Sequence, residues 1–228
     1  MVLTWAPGSV RHEPRPLSPR QSVMSSQQQS HPHTPTPSHA SLIGRHRAGQ
    51  LAPTDTGKAL QAARGCPDAW YRVQALASVA EHAEQRLVLR ILEEAAREAQ
   101  SCHDAYGTVA VMAWPLRVAF KQGQLNFAGC ELKKCLALVS AVEPRASQAF
   151  ALEILWSACF AVDPGHAEPV WHRILELCHP DHSWRAARLY LHIAEIQNGR
   201  DPGGAAAVIG AMPPGKARRW LERRFGLA

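Results

Sequence analysis

The chain has no run of about 18 consecutive apolar residues, so nothing in it reads as a bilayer-spanning helix. The basic-then-apolar order of a signal peptide is missing as well, because the opening apolar stretch is broken at Pro7. Nor is there the dense cysteine spacing of a secreted disulfide scaffold. Cys66, Cys102, Cys130, Cys135, Cys159 and Cys178 are scattered through helical sequence. Reduced, packed thiols in a cytoplasmic protein are the expected state. No motif amounts to a catalytic site, and no cofactor is expected.

Charge is unevenly distributed. Residues 1–67 carry a balance of +5, residues 68–214 a balance of −3 and residues 215–228 a balance of +4. The basic character therefore belongs to the two ends. A basic end can dock on nucleic acid, and it can equally be a solvated terminus. The 17 prolines cluster rather than spread. Residues 26–41, SQQQSHPHTPTPSHAS, have no apolar period and too little apolar surface to offset ordering entropy. Residues 1–67 are accordingly expected to form a disordered tail. Within it, only TGKALQAAR at 56–64 has helical promise, stopped by Gly65-Cys66-Pro67. His31, His33 and His39 read as polar tail, and Met24 is a second candidate start.

From Asp68 the pattern changes to a 3.6-residue period. Asp68 is a good N-cap. Two amphipathic helices follow, joined at about residues 82–85. The first presents Trp70, Val73, Ala77, Ala80 and Ala83, the second Val88, Ile91, Leu92, Ala95, Ala96 and Ala99. Asp104 caps a nearly all-apolar stretch, 105–122, that Pro115 must kink or interrupt, with Gly123 as its stop. A helix over 125–142 completes that pair. Ser147 is the expected start of a third pair, with Trp156 and Phe160 in its first helix. Pro169 is read as a first-turn proline of the second. Ser183 opens a fourth pair, followed by a short helix over 205–212 and a basic helix over 216–225.

The starts at 68, 104, 147 and 183 are 36, 43 and 36 residues apart, and RILE occurs at 90–93 and again at 173–176. Trp70, Tyr106 and Trp184 near helix starts, together with small residues such as Ala77 and Ala80, resemble tetratricopeptide-like αα-superhelical proteins. The resemblance covers residues 68 to about 212. It implies an all-α fold, a short right-handed stack of about four helix pairs, over residues 68–228, that presents a concave surface to a protein or peptide. An irregular helical bundle is the other arrangement that the same periodicity allows.

Chemistry-bearing candidates are few. GAMPPGKA at 210–217 approaches a phosphate-binding loop, but Ala217 lacks the hydroxyl and a helix precedes it. His172, Cys178, His179, Asp181 and His182 form the densest metal-capable set, in a spacing unlike tetrahedral zinc. Cys102-His103 reads as a helix end rather than a nucleophile pair. The expected partner-binding residues are Trp114, Trp156 and Trp171, with Arg218 and Arg219 on the basic last helix. The function expected is a non-catalytic interaction scaffold. The alternatives are a nucleic-acid-associated helical protein using the basic ends, and a metal or enzymatic site around residues 172–182.

Overall fold

A computed structural model describes residues 38–178 and 184–228. Among these, every regular element is helical and no strand occurs. No described helix is long and apolar enough to cross a membrane.

The first helix is one that composition concealed. α1 (His39–Leu51) begins where the Ser38 hydroxyl accepts from the Ser41 amide. Its buried positions are small, Ser41 and Ala48. α2 (Thr56–Arg64) coincides with the expected short helix. Asp55 caps it, accepting from the Lys58 amide at 2.9 Å. Both pack on α3 (Ala69–His82). Residues 38–67 therefore belong to the helical domain, not to the tail expected from their composition. The remainder of that expected tail, with His31, His33 and Met24, lies outside the described residues.

α3 and α4 (Gln85–Ala99) form the expected pair, joined at residues 83–84. The Asp68 carboxylate accepts from the Trp70 amide at 2.8 Å and supplies the cap. Val88, Ile91, Leu92, Ala95, Ala96 and Ala99 are all buried. Arg64 of α2 grips Glu94 of α4 with two hydrogen bonds of 2.7 Å, and Arg72 of α3 pairs with Glu98 at 2.8 Å.

The apolar stretch after Asp104 divides into α5 (Ala105–Val111) and α6 (Ala113–Lys121). Pro115 explains the break. It has no N–H for the Val111 carbonyl, and its ring crowds that group. Placed in the first turn of α6, it costs no further bond. α6 stops at Gly123, whose φ of +70° is left-handed. There the Gln124 amide donates to the Ala119 carbonyl and the Gly123 amide to the Phe120 carbonyl, a pairing that closes a helix end. α7 (Leu125–Leu138) follows.

α8 (Arg145–Phe160) starts two residues before Ser147, which lies inside its first turn and does not cap it. α9 (Pro164–Cys178) also starts earlier than expected. Pro164, not Pro169, takes the first position, because Asp163 accepts from the Gly165 amide at 2.7 Å and turns the chain there. Pro169 is inside the helix. Ser183, the last expected start, lies outside the described residues. α10 (Trp184–Arg200), α11 (Gly204–Gly210) and α12 (Lys216–Arg224) complete the chain.

Successive pairs touch through their first helices. α1 packs on α3, α3 on α5 and α6, both of these on α8, and α8 on α10. The core runs along this line through Leu76, Leu116, Leu152, Leu155 and Ile193, each fully or almost fully buried.

Two predictions follow from the packing. A Cβ on Gly44 would lie 2.7 Å from the Sγ of buried Cys66. Although alanine is the better helix former by about 1 kcal/mol, this overlap makes Gly44→Ala lower the thermal midpoint by about 3–6 °C. In a Cys66→Ala background the same change is neutral or stabilising; circular dichroism melts of the four proteins give the coupling. The second concerns Glu81. Burial alone would raise its carboxyl, but Lys121 at 2.7 Å, Arg117 at 3.5 Å and His82 outweigh it and hold the group below its ordinary value. A depressed carboxyl stabilises the fold above its unfolded-state value and loses that contribution as pH falls through the folded one. Glu81→Gln therefore melts about 2 °C lower than the parent at pH 7, and the gap closes in acid below the carboxylate range.

Candidate functional site

The C-terminal end of α8 carries Trp156 and Phe160 one helical turn apart. Their rings stack at 4.5 Å with an interplanar angle of 21°. α9 returns antiparallel to α8 and brings Trp171 toward them. Trp171 is half-buried and meets Tyr190 of α10 edge-on, 5.8 Å between centroids. The end of α10 closes the third side with Gln197, Arg200 and Asp201. The result is a cavity of about 410 Å³ lined by these residues together with Pro164, Gly165, Ala167, Glu168 and Gly204.

A tight reversal after α10 sets one wall. Gly203 has φ +102°, and a Cβ on Gly204 would lie 2.8 Å from the Gln197 carbonyl oxygen. Only glycines let α11 fold back so closely onto α10. Arg200 is drawn into the same corner. Its guanidinium sits 4.9 Å from the Phe160 ring centroid, and Nη1 donates to the Phe160 carbonyl at the end of α8. The charge of Arg200 is thus committed to one ring and one carbonyl. The other charged lining groups are two carboxylates, Glu168 and Asp201, both on exposed residues.

The expected partner-binding residues separate into two sets. Trp156 and Trp171 meet in this cavity, although Trp156 is only 1 % exposed and works as a wall more than as a contact. Trp114 is elsewhere. It is half-buried on α6 and packs edge-on against Trp70 of α3 at 5.8 Å and 70°. Arg218 ties α12 to the end of α11, donating to the Gly210 and Met212 carbonyls and pairing with Glu222 at 2.8 Å. Arg219 is exposed on α12. Beside it Trp220 is 45 % exposed, with the Arg224 guanidinium 5.8 Å from its ring. Phe160, Arg200 and Gly204 were not singled out as site residues. Phe160 had a signal, its place in the Trp156 stripe. Arg200 and Gly204 had none, since they join the site only through the reversal at 203–204.

Elsewhere three thiols are shifted strongly against ionisation. Burial, with Asp68 and Asp104 nearby, pushes the Cys102 thiol up to about 11. Burial likewise pushes the Cys135 and Cys159 thiols up to about 12. Such thiols hold little thiolate at neutral pH. Glu153 of α8 faces His192 of α10 at 3.6 Å. Burial raises its carboxyl, opposed by His192 and Arg188. The near phosphate loop at 210–217 connects two helices, α11 and α12, rather than a strand and a helix. Among the described residues no group of three or more metal-capable side chains converges. His172 is exposed beside Glu168 on α9; His179, Asp181 and His182 lie outside the described residues.

No family model, curated protein or solved structure matches this chain.

The thiols give a direct check. With excess aromatic disulfide reagent at pH 8, exposed Cys130 reacts first, and Cys66, Cys135 and Cys159 react only as fast as the fold opens. Rapid labelling of Cys135 or Cys159 in the folded protein would contradict this packing.

Proposed function

We propose that this protein is a non-catalytic interaction scaffold of the helical-repeat type, a tetratricopeptide-like stack of helix pairs that engages a protein or peptide partner. The pairing of first helices along α1, α3, α5/α6, α8 and α10 supports the stack. α1 and α2 add a pair before the four expected from sequence. Each pair has one apolar side that only its neighbours can cover. The RILE echo falls in the second helix of two pairs, α4 and α9, with Ile91 and Ile174 buried in equivalent fashion.

The observation that carries the proposal is the convergence of Trp156, Phe160 and Trp171 on one cavity. Partner anchors are typically single large side chains that fill pockets of this kind. The test is a peptide display selection against the intact chain. Enriched peptides are expected to lose at least about tenfold in affinity on Trp171→Ala, a hot-spot loss of about 1.4 kcal/mol. Enriched peptides indifferent to Trp171→Ala, in a variant that melts normally, would remove the cavity from the proposal.

α12 favours a second reading, a nucleic-acid-associated protein. It combines exposed Arg219 and Arg223 with a half-exposed Trp220, the pairing of charge and stacking face that single strands use. Binding of a mixed-sequence oligonucleotide should then weaken steeply with salt, with a slope reduced in Arg219→Glu/Arg223→Glu. Absent or salt-insensitive binding ends that reading.

A further inference from the structure

We infer that the cavity between α8, α9 and α10 takes the side chain of an arginine presented by the partner polypeptide. The inference rests on the scaffold reading and names what that reading leaves open, the chemistry of the anchor.

Three features point to a guanidinium. Three aromatic side chains line it, Trp156, Phe160 and Trp171; the half-buried Trp171 is the one open to a ligand, and an aromatic face attracts a cation placed over it, tryptophan most strongly. The charge left at the mouth is negative. Arg200 is held by the Phe160 ring and carbonyl, which leaves two carboxylates to a ligand, Asp201 and Glu168, the latter 3.8 Å from His172 Nε2. An acidic ligand would meet both carboxylates. An apolar anchor would partly desolvate them as it entered, with no charge of its own to offset that cost. The third feature is Arg200 itself. Its guanidinium lies over a ring of this cavity, 4.9 Å from the centroid, while donating to a helix-end carbonyl. A planar, weakly hydrated guanidinium suits such a wall better than the compact, strongly hydrated ammonium of lysine. At about 410 Å³ the cavity has room for one such side chain.

The test uses the full chain labelled with ¹⁵N, with the Trp156 and Trp171 indole resonances assigned by tryptophan-to-phenylalanine variants. The probes are capped Gly-Ser-Arg-Ser-Gly and its citrulline, norleucine and glutamate counterparts. The arginine peptide is expected to shift the Trp171 indole resonance saturably. Citrulline, which keeps the shape and loses the charge, should bind at least about tenfold more weakly. Glu168→Gln/Asp201→Asn should bring arginine down to the citrulline level without changing the melting curve or the weak norleucine response. Equal or tighter binding of citrulline, norleucine or glutamate overturns the arginine assignment. So does arginine binding that survives loss of both carboxylates. Norleucine binding that disappears with Trp171→Ala would leave the cavity as a docking site with an apolar anchor. No response to any peptide, in a protein whose indole spectrum is that of a folded chain, overturns the assignment and removes the anchor role with it.

Discussion

The fold depends on how closely other helices can approach α3. Ala75, Ala77 and Ala80 are buried on it, together with Val73, Leu76 and Val79. Such short side chains let α1, α2, α4, α5 and α6 all reach the same helix. The facing surfaces are built alike, with Ala48 on α1, Ala59 and Ala63 on α2, and Ala95 and Ala99 on α4, all fully buried. Each contact is individually small. Their sum comes from the number of close pairs at native packing density. The one buried polar side chain on α3, Gln74, keeps its partner, because Arg45 of α1 donates to its amide oxygen at 2.7 Å.

The second half of the molecule is built differently. There, large side chains fill the space that alanines close in the first half. Trp156, Leu152, Leu155, Ile174 and Tyr190 form its interior. The cavity lies where α8 and α10 end and α9 begins. The aromatic character of the site is thus the surface form of the same residues that make the local core.

Much of the architecture was legible because it is written in local chemistry. Asp68 and Asp104 cap through short hydrogen bonds to the chain that follows, so each announces its helix. Pro115 splits a helix by what it lacks. The stripe of α4 is regular enough to give both its limits and its buried face. α1 was missed for the opposite reason. Its buried residues are Ser41 and Ala48, with the half-buried Gly44 facing Cys66, so it has no apolar stripe to detect. Of the two prolines near the start of α9, Asp163 decides between them, and its turn precedes the helix by one residue. The cavity was half visible. Trp156 and Trp171 stood out as aromatics in apolar stripes, but so did Trp114, which belongs to an interhelical contact. Only the reversal at Gly203 and Gly204 distinguishes them, by bringing the end of α10 to one pair of rings and not to the other.

The bond from Arg200 to the Phe160 carbonyl spans 40 residues of chain. It sets an order on biosynthesis. As the polypeptide emerges, α5 and α6 wait for α8 to cover them, and α8 in turn waits for α10. The final carbonyl of α8 cannot meet this donor until the last residue of α10 has been made. The aromatic chamber therefore closes only after residue 200 has been made, and a chain that stops short of it lacks the guanidinium that covers the Phe160 ring.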